Sequence, residues 1–133
     1  MTGYKSYRGL QVDGAGPLEL VRLTYDALIK ALAKAQAAEE AKDMAAEADH
    51  LSRAIEALIE LSTSLNMEAG GKIAASLASL YAYMSRRLLE GQARDSASAI
   101  REVLSLAQTL RDGWQQLADA PRVEQRVSQR AAG

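Results

Sequence analysis

The sequence predicts an all-α protein, an antiparallel up-down four-helix bundle with a short N-terminal cap segment. Its 133 residues include no phenylalanine, no cysteine and only two prolines, and strong helix formers dominate the rest. That composition favours helices over strands. Apolar residues recur at spacings of three and four in four separate segments, which is the period of an amphipathic helix. The connections between these segments are short, so neighbouring helices must run antiparallel.

The chain begins with a glycine-rich leader, residues 1–16, which we expect to form the cap segment. Its few sizeable apolar side chains are Tyr4, Tyr7, Leu10 and Val12. Pro17 suits the first position of a helix, where its fixed φ and missing N–H cost nothing. The apolar repeat that follows predicts a first helix ending near residues 38–42. We assign the four-helix bundle to residues 17–120.

A second helix follows, and Asp43 suits its N-cap because the carboxylate can accept hydrogen bonds from the free N–H groups of the first turn. The seam of this helix lasts to about Leu65 and consists of Met44, Ala48, Leu51, Ile55, Leu58, Ser62 and Leu65. A turn over residues 66–71 is predicted to separate it from the third helix.

The third helix carries an apolar stripe that we expect to be mostly bundle core: Ile73, Leu77, Leu80, Met84 and Leu88. We predict that this helix ends just before Gly91, which takes the left-handed conformation common after a helix. Asp95 or Ser96 suits the N-cap of the fourth helix, and Pro121 sets its end. The last residues, 121–133, have little to bury and are predicted to form a flexible tail.

The charge balance and the lack of long apolar runs exclude several classes of function. A formal net charge of −1 provides no basic field to attract nucleic acid, so we expect no nucleic-acid partner. The N-terminal residues lack the apolar stretch of a secretory signal, and no run approaches the ~18 apolar residues of a membrane span. We therefore expect a soluble cytoplasmic protein without membrane insertion.

Patterns typical of catalysis or metal binding are also missing from the sequence. The single histidine, His50, lies away from the apolar seam, and without cysteine a metal site would depend on carboxylates alone. No nucleophile lies in a recognisable elbow, and the Gly70/Gly71 pair lacks the lysine and spacing of a phosphate-binding loop. We predict no enzyme, no cofactor and no metal site.

Some apolar residues lie outside the single stripe that a bundle helix needs. They are Leu20 and Leu23 in the first helix, Ile59 and Leu61 in the second, and Leu104 and Leu106 in the fourth. One interpretation is the ordinary scatter of exposed leucines. The other is a groove for an apolar helix face or an extended segment of a partner. In that case Tyr7, Leu10 and Val12 of the leader can fill the groove when no partner is bound.

Several motifs, taken together, resemble one protein family. They are Y-x-x-x-x-V-x-x-A-x-P at 7–17, L-V-x-L-x-Y-D at 20–26, L-N-M-E-x-G-G-x-I-A-x-x-L-x-x-L-Y-x-Y-M-x-R-R-L at 65–88, and the late Trp114. In these features the chain is similar to the FliS family of flagellar secretion chaperones. The 65–88 motif is the specific one, because its glycine pair, aromatic pair and double arginine occur at fixed spacing.

The resemblance implies an antiparallel helical bundle with an N-terminal cap, whose partner is the disordered C-terminal region of flagellin. Family members bind that region in the cytoplasm, prevent premature polymerisation and help to deliver flagellin to the flagellar type III export apparatus. Tyr7 matches the family's N-terminal tyrosine. With the apolar residues above, the candidate partner-binding set is Tyr7, Leu10, Val12, Ile55, Leu58, Ile59, Leu61, Leu65, Tyr81, Tyr83, Met84, Arg87, Leu88, Leu104 and Leu106.

An alternative function follows from departures from the family pattern. Lys72, Ser76 and Ala82 replace the usual Glu, Asn and Asp of the third-helix motif. These changes also fit a diverged paralogue, an adaptor for an anti-sigma factor or for another appendage subunit. An export-apparatus component is a further possible partner.

Overall fold

The computed structural model describes residues 17–119, which form four α-helices joined by short connections. Helix α1 spans Pro17–Glu40, α2 Met44–Thr63, α3 Met67–Arg94 and α4 Ser96–Ala118. The described residues contain no strand and the helices pack on one another, so the predicted all-α bundle is confirmed. The predicted cap segment, 1–16, and the predicted tail, 121–133, lie outside the described residues.

The helices form a ring in which each packs against the next and α4 closes the ring on α1. The α1–α2 contact is the most extensive and the α2–α3 contact is the least. Buried alanines on α1 and α2 allow the two backbones to approach closely; they are Ala31, Ala35, Ala54 and Ala57. The looser α2–α3 pair leaves an opening at one end of the bundle.

Aspartate and asparagine side chains cap three of the four helices. Each accepts a hydrogen bond from the backbone N–H three residues later, Asp43 at 3.1 Å, Asn66 at 3.0 Å and Asp95 at 3.1 Å. The predicted caps Asp43 and Asp95 are therefore confirmed. The predicted turn over 66–71 is wrong, because Asn66 satisfies the first turn of a helix that begins at Met67.

Two glycines of α3 have roles that differ from the sequence prediction. Gly71 lies inside the helix with φ 51° and ψ −126°, and it kinks α3 after its first turn. Gly91 lies within α3, which continues to Arg94, so the predicted left-handed end at Gly91 is wrong. Gly91 is instead buried against α4, where a Cβ would lie 2.3 Å from the Cβ of Ala99. Its lack of a side chain permits the close α3–α4 approach.

The core is one cluster along the bundle axis. Leu20 and Leu61, expected outside the core, are 3% and 2% exposed, because each helix has two neighbours that cover both edges of its apolar arc. Met44 and Ile73, expected in the seams, are 81% and 74% exposed. Met44 is the first residue of α2, and Ile73 follows the kink at Gly71, so neither side chain reaches the core.

None of the helices in residues 17–119 combines the length and the apolar character that crossing a membrane requires.

Candidate functional site

An apolar cavity of about 310 Å³ opens at the end of the bundle where α2 ends and α3 begins. We call this cavity the end groove. All four helices contribute to its apolar lining, which includes Val21, Leu61, Leu65, Ile73, Leu77 and Trp114. Leu65 and Leu77 are half-buried and Ile73 is exposed, so this surface is accessible to a partner. Within residues 17–119, this cavity brings apolar side chains from separate helices together around an opening to solvent.

Three aromatic side chains form a polar contact behind the end groove. The hydroxyls of Tyr25 and Tyr81 lie 2.5 Å apart, and the Trp114 indole N–H donates to the Tyr25 hydroxyl at 3.2 Å. The two tyrosine rings are 6.4 Å apart and inclined at 59°. Burial raises the pKa of both tyrosines, and their shared hydrogen bond raises the pKa of Tyr25 further. Both phenols therefore stay neutral, and they fix the Trp114 ring at the groove wall.

The kink at Gly71 accounts for the shape of the groove. The positive φ of Gly71 is disfavoured for residues with a side chain, and it turns the first turn of α3 relative to the rest of the helix. Residues on both sides of the kink, Ala69 and Ile73, line the cavity. The kink thus separates two parts of α3 that both line the end groove.

The predicted partner-binding residues differ in where they lie and in how accessible they are. Leu61, Leu65 and Tyr81 line the end groove, although Leu61 and Tyr81 are also core residues. Leu58, Met84 and Leu88 are fully buried, so a partner would reach them only if the helices separated. Partly or largely accessible positions are Ile55, which is half-buried, and Ile59, which is 55% exposed. Tyr7, Leu10 and Val12 lie outside the described residues.

The surplus apolar residues of α1 and α4 do not line the end groove. Leu104 and Leu106 are half-buried and pack against the core. Leu23 is 45% exposed. Leu61, by contrast, faces the core and the end groove.

Tyr83 and Arg87 belong to a polar cluster between α3 and α4, which also contains Ser98 and Glu102. The Tyr83 hydroxyl and the Arg87 Nε both donate to the Glu102 carboxylate, Arg87 at 2.8 Å. Arg87 also donates to the Ser98 hydroxyl at 3.3 Å. The hydrogen bonds from Tyr83 and then Arg87 hold the pKa of Glu102 below its usual value. In this structure both predicted contact residues are engaged within the protein and join α3 to α4.

Four of the larger apolar residues that line the end groove are absent from the predicted binding set. Val21 and Trp114 come from α1 and α4, and only the antiparallel pairing of the helix ends brings them to the groove. Ile73 and Leu77 were assigned to the core. The sequence signal that could have identified Ile73 is the glycine pair just before it, since an interruption at Gly71 changes which side of the helix is buried.

Comparison with known proteins identifies relatives along most of the chain. Residues 1–121 match the family model described as flagellar protein FliS. The chain is similar to the flagellar secretion chaperone FliS of Salmonella typhimurium, with 35% identity over 122 residues, or 88% of this chain and 90% of that protein. The corresponding chaperone of Escherichia coli is 30% identical over 129 residues, 92% of this chain and 94% of its own. That of Bacillus subtilis is 29% identical over 125 residues, 94% and 92% respectively.

Proposed function

Because the chain belongs to the FliS family of flagellar secretion chaperones, we propose that it is an export chaperone for flagellin. In this proposal it binds the disordered C-terminal region of flagellin in the cytoplasm, prevents premature polymerisation and assists delivery to the flagellar type III export apparatus. The observation that carries the proposal is the end groove, an open apolar cavity at the loosest helix contact of the bundle.

A disordered amphipathic segment suits the end groove because its apolar side chains can replace water around Leu65, Ile73 and Leu77. Each aliphatic side chain that becomes fully buried contributes about 1.5–3 kcal/mol. Ordering a flexible segment costs free energy, so several such contacts are needed. Exposed Ile59 and Met67, on α2 and α3, offer additional apolar surface on the same two helices. A segment held there would have its self-assembly face covered.

The test is titration calorimetry of the full chain with a synthetic peptide of the flagellin C-terminal region. Binding should be accompanied by a gain of helical circular dichroism and by a negative heat-capacity change. Ile73→Asp should weaken binding by about tenfold or more, because it removes an apolar contact and brings a carboxylate into the groove. Ile73 is 74% exposed, so this substitution should leave the bundle folded.

Leu89→Asp is the matched control for that experiment. Leu89 is 56% exposed on the same helix and does not line the end groove, so its replacement should leave the affinity within about twofold of wild type. No binding at micromolar concentration would overturn the proposed function. Equal weakening by the two substitutions would place the flagellin contact outside the end groove.

A second candidate function, an adaptor for an anti-sigma factor or another appendage subunit, is favoured by one observation. Lys72, Ser76 and Ala82, the altered motif positions, are all exposed on α3. Changes at exposed positions can alter a binding partner without altering the fold. Purification of the full chain with its bound proteins from the native cell, followed by mass spectrometry, separates the two candidates: recovery of flagellin supports the chaperone.

A further inference from the structure

A second concave surface lies between α1 and α2, outside the end groove. This cavity of about 330 Å³ includes three alanines, Ala27, Ala31 and Ala57, among its lining residues. Small side chains leave room for another backbone to approach α1 and α2 closely. Charged side chains surround the alanines, and we therefore call this surface the charged groove.

The charges are arranged as two facing rows. Lys30 and Lys34, one helical turn apart, line the groove from α1, and Glu56 and Glu60, also one turn apart, line it from α2. All four side chains are exposed, and none of them takes part in an ion pair or hydrogen bond within the described part of the chain. Arg22, Arg87 and Arg111, by contrast, all pair with carboxylates. Lys30 and Lys34 thus repel each other along α1 without a compensating partner.

His50 is a further unsatisfied group in the charged groove. Its Nδ1 atom is shielded from solvent and has no hydrogen-bond partner among the described residues. Arg53, next to it in the groove, pairs with Asp49 at 3.4 Å. Buried polar atoms in folded proteins are rarely left without a partner. The two rows of charged side chains without ion-pair partners, together with the unsatisfied His50 nitrogen, give the groove the polar groups needed to bind a ligand.

We propose that the charged groove binds an amphipathic helix of a partner protein other than the flagellin segment. In this complex, carboxylates spaced four residues apart on the partner helix pair with Lys30 and Lys34. Basic side chains on the other flank of that helix pair with Glu56 and Glu60. Small side chains between the flanks lie over the alanines. A helix fits because its one-turn repeat matches the one-turn spacing of both charged rows. The charge complementarity orients the bound helix and speeds its association.

This second site goes beyond the proposed chaperone function because it uses another side of α2. Glu56 and Glu60 line the charged groove, whereas Leu61 and Leu65 line the end groove. Around the axis of α2, Leu61 lies about 120° from the midpoint between Glu56 and Glu60. A segment in the end groove therefore leaves the charged groove open, and the protein can hold two partners at once.

The test uses the full chain and a designed probe peptide of about 21 residues. The probe is alanine-rich, with glutamates at i, i+4 spacing on one flank of an alanine stripe and lysines on the other, so its net charge is zero. Amide chemical shifts of the isotope-labelled protein are followed during titration. Saturable shifts should centre on Ala31, Lys34 and Ala57, and the affinity should fall as the salt concentration rises.

Charge reversal in the groove gives the decisive comparison. Lys30→Glu with Lys34→Glu should weaken the probe by about tenfold at low salt, since two attractions become repulsions. Adding Glu56→Lys and Glu60→Lys to the same protein recreates opposite rows and should restore the affinity. The control Arg94→Glu with Arg101→Glu makes the same charge change at exposed positions outside the groove and should leave the affinity within about twofold.

Three results would overturn the proposal. Saturable binding that Lys30→Glu with Lys34→Glu leaves unchanged would place the probe elsewhere. Failure of the fourfold variant to restore binding, with its helical circular dichroism intact, would show that the facing rows do not select a helix. A concentration-dependent dimer of the wild-type chain that the double lysine variant abolishes would assign the groove to a second copy. None of these results depends on whether flagellin binds, because no flagellin is present.

Discussion

Helix α2 packs closely against α1 on one side and only loosely against α3 on the other. On the α1 side, alanines such as Ala35 and Ala54 are fully buried and let the helices approach. On the α3 side, the kink at Gly71 turns the start of α3, and Leu65 and Leu77 remain half-buried around a cavity. Close packing on one side can maintain the fold while the other side keeps apolar surface available for a partner.

The same difference separates the kinds of ligand that the two sides can take. Where α1 and α2 are in close contact, the open surface above them is lined by alanine and by charged side chains. Where α2 and α3 pack loosely, the opening is lined by leucine, isoleucine and tryptophan side chains. The first surface favours a partner selected by charge, and the second favours one selected by apolar burial.

The largest expected effect comes from truncating one leucine on each side. Leu32→Ala, at a position with 0% exposure in the core, should lower the free energy of unfolding by about 2–5 kcal/mol. Leu77→Ala, at the half-buried wall of the end groove, should cost about 1 kcal/mol, because much of the side chain already contacts water. Urea unfolding followed by circular dichroism measures both. Equal losses of unfolding free energy in the two variants would contradict this comparison, since the α2–α3 side would then contribute as much to stability as the core position on α1.

The next effect tests whether the kink is the cause of the loose side. Gly71→Ala should lower the free energy of unfolding by about 1–3 kcal/mol, because the φ of 51° and ψ of −126° at this position are strained for a residue with a side chain. Gly113→Ala is the matched control in a regular part of α4. A Cβ at either position meets no atom within 4 Å, so backbone conformation alone distinguishes them. Gly113→Ala should raise the stability by about 0.5–1 kcal/mol, and stabilisation by both would contradict a required kink.

The helices could be predicted from the sequence because their signals are local. The three–four apolar repeats and the caps Asp43 and Asp95 act within one or two turns of the chain, and the structure confirms the predicted helices and both caps. Gly91 shows where local signals fail. A glycine near a helix end usually marks the end, but here the approach of Ala99 on α4 requires it, and that contact is not visible in the order of residues along α3.

The candidate site was less predictable because it depends on how four helix ends meet. Leu61 and Leu65 were identified, yet Val21 and Trp114 reach the same cavity from opposite ends of the sequence. A helical wheel also assumes a continuous helix, and the interruption at Gly71 places Ile73 on the surface. Family resemblance singled out Tyr83 and Arg87, but it does not show that both donate to Glu102.

The smallest expected effect concerns the polar contact between α3 and α4, which stabilises α3 where its packing against α2 is loose. The polar cluster around Glu102 joins α3 to α4, and its hydrogen bonds from Tyr83 and Arg87 lower the pKa of the Glu102 carboxyl. A lowered pKa in the folded state means that this contribution to stability is fully present above the unfolded value, about 4.3. It is lost as the pH falls through the lower folded value. The cluster is partly exposed, so solvent screening keeps the contribution small.

Thermal unfolding of wild type and Glu102→Gln at a series of pH values tests this connection. The wild type should unfold at a slightly higher temperature at neutral pH, and the difference should shrink below about pH 4 as the carboxylate becomes protonated. Tyr83→Phe removes only one of the two donors and should raise the pKa of Glu102 toward its ordinary value, as read from a carbon-detected NMR titration of the carboxyl. If the difference in unfolding temperature between wild type and Glu102→Gln stays the same at acidic pH, the carboxylate does not stabilise the α3–α4 contact. That contact would then depend on Gly91 and the core alone.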